Sequence, residues 1–232
     1  MSYEKDYGYK SSTQIVQATM SKVYAWMTLA LAVIAIAAFY TASSETLIRF
    51  IYGTRWGIWA LLIAEIALVV YLSARLNKIS FATGAVVFGI HSLLNGVTLS
   101  SILLAYSAGT VYTAFLSTAL TFGVMSLIGY TTKKDLTSIG SFLMMALVGL
   151  IIASLVNLFL RNSMMDTIIT YLGLFLFIGL TAYDTQKIKQ AISMQGQWGI
   201  DVRKIALIGA LSLYLDFINL FLNIVRLLGD RR

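Results

Sequence analysis

Seven apolar runs divide this chain, each near the length that crosses a hydrocarbon core, with short polar joints between them. They fall near 22–41, 56–75, 81–106, 110–130, 139–160, 166–188 and 205–228. A helix needs about 20 apolar residues to span a bilayer, so the pattern predicts seven transmembrane α-helices. The third run is long enough to tilt, to bend at Gly89 or Gly96, or to project beyond the bilayer. The joints leave no room for a soluble domain. The longest internal polar segment, 185–204, holds Lys187, Lys189, Arg203 and Lys204. The expected organisation is a polar N-terminal tail over 1–21 and one seven-helix transmembrane domain over 22–230.

Composition agrees and narrows the class. Hydrophobic residues make up 59% and charged residues 12%, against about 25% charged in a soluble domain. The net charge of +7 does not argue for nucleic acid, because basic loops of a membrane protein set topology and touch anionic lipid. With no cysteine, disulfides and thiolate metal sites are excluded. The single histidine, His91, excludes a multi-histidine metal site within one chain, and no resident cofactor is expected. Proline is absent, so a broken helix would have to use glycine. The start, MSYEKDYGYKSSTQ, lacks the apolar core and cleavage site of a signal peptide, so the first span is expected to be retained. The absence of cysteine, of organelle-targeting signals and of long tails suggests a bacterial protein, expected in the cell inner (plasma) membrane.

Orientation follows from lysine and arginine. Lys5, Lys10, Lys22, Arg75, Lys78, Lys133, Lys134 and the basic residues of 185–204 collect on one side. Arg49, Arg55, Arg161, Arg226, Arg231 and Arg232 lie on the other. The richer side is expected to be cytoplasmic and to hold the N-terminus.

Within the apolar runs, a few polar groups stand out: Glu65, His91 with Asn95 and Thr98, Asn157, Asp184 and Asp216. An acidic residue deep in a membrane segment costs about 2.5–3.5 kcal/mol on insertion scales, and marks an interior or water-filled path. Asp216 is in that position. It belongs to a stripe, Ser212, Asp216, Asn219, Asn223 and Arg226, that recurs at three- and four-residue spacing along one helix face. Such a helix suits the centre of a bundle or the lining of a path. Asn219 and Asn223 equally suit simple hydrogen bonding to neighbouring helices, worth about 0.6 kcal/mol each. Asp184, taken alone, reads as a solvated boundary residue, Arg75 as a positive-inside anchor, and His91 as a satisfied core group.

The run GLTAYDTQKIK (179–189) closely resembles the signature of the Bax inhibitor-one family, also called the transmembrane Bax-inhibitor-motif family. NGVTLSSILLAY (95–106), TTKKDLTSIGSFL (131–143) and ALSLYLDFINLFLNIVRLLG (210–229) fit the same pattern, in order and over nearly the whole chain. The resemblance is to the compact bacterial members. It implies an all-α integral membrane fold of seven helices, two layers of three around a central C-terminal helix. It also implies that Asp184 and Asp216 form a hydrogen-bonded pair, with Arg75 as the arginine beside them and Glu65 as a further acidic position. The family is associated with pH-regulated calcium leak. Eukaryotic members are linked to suppression of cell death and some bacterial members to a membrane-bound protease. A direct pair needs a structural cause, since Asp216 lies ~18 Å along its helix from Lys204 but Asp184 only ~7.5 Å from Lys189. Tilt, a later helix start or a cavity would supply it.

The expected function is therefore a pH-sensitive calcium leak channel without enzymatic activity. Two carboxylates in contact cannot both ionise cheaply, so they titrate as a unit, and a proton gained or lost biases two packings of the bundle. Calcium takes six to eight oxygen ligands. Glu65, Asn219 and Asn223 along a path, with weak calcium contacts at Glu65, Asp184 and Asp216, are too scattered for a tight cage and suit passage. A second reading is a non-conducting regulator of a membrane-bound protease or other membrane-protein partner, contacting it through the N-terminal tail. An intramembrane aspartyl hydrolase is disfavoured, because neither aspartate has the expected glycine–aspartate context.

Overall fold

A computed structural model describes residues 12–54, 56–75, 78–194 and 201–229. Among these residues the chain is all helical: α1 (Ser12–Ala42), α2 (Glu45–Tyr52), α3 (Gly57–Arg75), α4 (Phe81–Ala105), α5 (Ala108–Thr131), α6 (Thr137–Leu160), α7 (Ser163–Ser193) and α8 (Val202–Leu228). All but α2 are long and apolar enough to cross a membrane. The protein is an all-α integral membrane protein.

Side-chain caps explain where several helices begin. Ser44, Ser80, Ser107, Asn162 and Asp201 each accept a backbone N–H of the first turn of α2, α4, α5, α7 and α8. The Arg203 side chain also bonds Asp201 and holds its carboxyl below the usual carboxylate range. Asn157 serves the other end of a helix. Its Oδ1 accepts from the Asn162 N–H at 3.0 Å where α6 stops at Arg161 in a left-handed conformation.

Two features differ from the apolar pattern. α2 is a short helix between the first two spans, too polar to register as a span. α1 begins ten residues before the apolar run at 22, because Val16, Thr19, Met20 and Val23 continue a buried stripe at helical spacing. Part of the expected tail is thus core. Lys5 and Lys10, with the rest of the tail before Ser12, lie outside the described residues, as do Arg55, Arg231 and Arg232.

α8 is the hub. Its most apolar stretch is 67% buried, against 6% in α6 and 11% in α3, and Leu207, Leu213, Tyr214, Leu220 and Val225 are fully enclosed. It packs on α1 and α4 on one side and α5 and α7 on the other. α3 is attached through α4, and α6 through α7. The result is two groups of three, α1–α4–α3 and α5–α7–α6, around α8. Close approach of α7 to α8 requires Gly173, where a Cβ would sit 2.8 Å from Asn223 Oδ1.

Candidate functional site

The polar stripe of α8 faces a cavity of about 770 Å³. Ser212, Asp216, Asn219, Asn223 and Arg226 form its floor. α3 contributes Glu65, Ile66, Val69 and Val70 on one wall, and α6 contributes Leu147, Ile151, Ser154 and Leu155 on the other. Asp184 enters from α7, and His91 and Asn95 from α4. Ile66, Val70, Ile151 and Leu155 are all more than half exposed, so the cavity opens toward the bilayer between α3 and α6. The period of the stripe dictates this arrangement. A helix that is polar on one face and apolar elsewhere sits stably in a bundle only where that face meets a polar space.

Asp184 and Asp216 both line this cavity, but no hydrogen bond joins them as the resemblance implied, and helix register shows why. α7 and α8 run antiparallel. Ile188 lies level with Gly209, and Gly173 with Asn223. Asp184 is therefore opposite Ser212 and Leu213, one turn of α8, about 5.4 Å, from Asp216. α7 extends past its basic residues to Ser193, and Lys189 turns inward to donate to the Tyr130 carbonyl at 2.7 Å. This register removes about half of the roughly 10 Å depth mismatch expected from the lysines. Asp184 has Ser212 and Lys187 as close neighbours, and its charge bears directly on Asp216. Asp216 is 5% exposed, and its Oδ2 is buried without a hydrogen-bond partner. The one-turn offset accounts for that open oxygen.

Arg75 is placed apart from the pair. It is exposed at the end of α3, where its carbonyl accepts from Lys78 and Ile79, and it does not line the cavity. The cations near the site are Lys187 beside Asp184 and Arg226 at the far end of the floor.

Glu65 sits in a separate cluster on the same cavity. It accepts from Asn95 Nδ2 at 3.2 Å and from Thr98 Oγ1 at 2.5 Å, tying α3 to α4. The shared face of His91, Asn95 and Thr98 was visible in the sequence. That Glu65 closes it was not, because the pairing crosses two helices. His91 is a core group, as expected of a lone histidine. It is 2% exposed and its Nδ1 pairs with the Tyr214 hydroxyl at 3.3 Å, joining α4 to α8. Asn219 and Asn223 bond neither neighbouring helix. Their amides donate to the carbonyls of Leu215 and Asn219 in α8 itself, each at 2.8 Å, and both residues line the cavity. Among the described residues the carboxylates do not gather into a group of three.

Seven spans, with a cavity floored by the polar face of α8, define a multi-pass membrane protein. The comparisons say which kind. The family model described as "Inhibitor of apoptosis-promoting Bax1" matches residues 16–232. The chain is 44% identical over 218 residues to "Inner membrane protein YbhL" of Escherichia coli K12, covering 94% of this chain and 93% of that one. An uncharacterized protein of Borreliella burgdorferi is 43% identical over 213 residues, 92% of each chain. One of Rickettsia prowazekii is 40% identical over 213 residues, 92% of this chain and 89% of its own. The chain belongs to the Bax inhibitor family.

Proposed function

We propose that this protein is a pH-sensitive calcium leak channel, without enzymatic activity or a cofactor, and that Asp184 and Asp216 sense pH. The observation that carries the reading is the α8 floor of the cavity, where a carboxylate oxygen of Asp216 is enclosed without a donor one turn from a second carboxylate. Enclosed unpartnered groups call for an explanation. One that exchanges a proton with its neighbour, and so changes the fit of α7 on α8, is suited to gating. Glu65, Asn219 and Asn223 extend oxygen ligands along the cavity. Such spread, weak contacts suit passage better than storage. The bacterial inner membrane is the location that the YbhL likeness supports, and the lysine and arginine distribution favours a cytoplasmic N-terminus.

Calcium entry into liposomes holding the purified protein tests this, from about pH 5 to about pH 8, for wild type, Asp184→Asn and Asp216→Asn. The expected result is flux that follows pH in wild type and loses that dependence in both variants. Flux absent at every pH from folded protein overturns the channel and favours the regulator of a membrane-protein partner. Unchanged dependence in both variants moves the sensor to another group. For the regulator reading, the structure changes the useful truncation. Val16 and Met20 are core, so a deletion probing the tail alone has to stop before Ser12.

A further inference from the structure

The last helix of the second group is held in an uneven way. Leu136, the residue at the start of α6, supplies no side-chain cap of its own. Gln186 of α7 reaches across instead. Its Oε1 accepts from the Leu136 N–H at 2.8 Å, and its Nε2 donates to the Lys134 carbonyl at 2.8 Å. Gln186 is buried, so the bonds form where water competes poorly. Just above, Gly140 lies against Tyr183, where a Cβ would come within 2.2 Å of the ring. Leu143 then meets Gly179. Beyond that point the helices part. A second cavity of about 460 Å³ separates Ala146, Gly149 and Ala153 of α6 from Ile168 and Leu172 of α7. A Cβ added at Gly149 would touch nothing within 4 Å.

α6 is thus fastened to α7 at both ends, by Gln186 at its base and by the two-residue turn that Asn157 closes at its far end, with slack between, while its other face walls the main cavity. We infer that Gln186 is a positioning residue that sets the width of the main cavity by clamping the base of α6 to α7, with the turn at the far end as the hinge of that wall. The lever is long. A helix of 24 residues is about 36 Å long, so a tilt of about 8° about the far turn moves its base by about 5 Å. Gln186 and Asp184 are two residues apart on α7, about 200° around the helix. One faces the joint before α6 and the other faces α8, so a shift of α7 against α8 reaches α6 through a single rigid rod. The placement of the wall stands on geometry alone, whereas its consequence for ion passage rests on the leak reading.

The chain has no cysteine, so spin labels attach only where cysteine is introduced. Met145→Cys on α6 with Val70→Cys on α3, both exposed, reports the width between the walls toward the clamped end. Phe39→Cys on α1 with Leu93→Cys on α4 serves as reference. In liposomes, Gln186→Leu is expected to shift and broaden the Met145–Val70 distance and leave the reference distance as in wild type. An unchanged Met145–Val70 distance with the reference intact overturns the clamp. If the reference also changes, Gln186→Glu decides, since it keeps the acceptor for Leu136 and loses the donor to Lys134. A shift there supports the clamp, and no shift overturns it. Calcium entry measured on the same samples separates the two readings. No flux in wild type at any pH sinks the leak channel, while the distances still decide the clamp.

Discussion

Glu65 and Asp216 are two carboxylates on one cavity, 8% and 5% exposed, and their surroundings differ. Glu65 receives two donors from α4. Asp216 has an enclosed oxygen with none, and its nearest charged neighbour is another acid. Exposure is similar, so exposure does not separate the two acids. The hydrogen-bond inventory does. Glu65 is an acceptor that the α3–α4 interface is built around. Asp216 sits at the α7–α8 interface with a demand the protein leaves open, and such a demand is met by a proton, by water or by a passing cation.

The largest expected effect comes from deleting each acid in turn. In Glu65→Leu the Thr98 hydroxyl can turn to its own helix backbone. Asn95 cannot compensate. Its Oδ1 is already buried without a partner, and its Nδ2 would lose its acceptor as well. Stranding that amide is expected to cost about 1–3 kcal/mol. Asp216→Leu strands no protein donor and relieves the crowding of two carboxylates, so it is expected to be neutral or stabilising. Thermal unfolding in detergent, compared between the two variants, measures the difference. Equal destabilisation would erase the distinction between the two acids.

The sequence carried one of these two sites better than the other. The floor of the cavity was legible because all five of its α8 residues lie on one helix, and helical periodicity alone lines up Ser212 through Arg226. The Glu65 cluster was half legible. His91, Asn95 and Thr98 share a face, but their acceptor comes from α3, and spacing carries no information between helices. The same limit applies to Arg75, which the resemblance put beside the aspartates and the fold leaves exposed at the end of α3. It applies also to Gln186, whose partners are backbone atoms fifty residues earlier. Asn219 and Asn223 illustrate a further limit. Their type predicted hydrogen bonding, and only the rotamers show that the partners lie in their own helix. The start of α1 was readable in principle, because Val16, Thr19, Met20 and Val23 repeat at helical spacing. A search for unbroken apolar residues passes over them.

A smaller effect sharpens the comparison at the link between the two sites. The His91–Tyr214 bond joins α4, which carries the donors to Glu65, to α8, which carries Asp216. At 3.3 Å it is a long bond, and interhelical bonds in membranes average about 0.6 kcal/mol. A double-mutant cycle of His91→Phe and Tyr214→Phe, read by thermal unfolding, is expected to give coupling of about that size. Coupling near zero would mean that the sites are joined only by packing, including the edge-on contact of the two rings at 5.6 Å. Coupling several times larger would mean that they act as one network and that treating the acids separately is wrong.

The smallest effect belongs to a third carboxylate, Asp135, in the joint that Gln186 clamps. It is hydrogen-bonded like Glu65 but solvated. Its Oδ1 accepts from the Thr137 N–H at 2.9 Å and from the Thr137 hydroxyl at 2.5 Å. These bonds hold its carboxyl below the usual carboxylate range. Because the folded form binds its proton less readily than the unfolded chain, Asp135 adds stability above the ordinary carboxylate value of about 3.9. That stability is lost as pH falls through the folded value. Asp135→Asn is therefore expected to lower the unfolding temperature slightly near neutral pH and to match wild type in acid. A difference that persists undiminished below the carboxylate range would show that the Thr137 bonds owe nothing to the charge. Hydrogen-bond satisfaction would then have to be judged without regard to ionisation, at Glu65 as well as at Asp135.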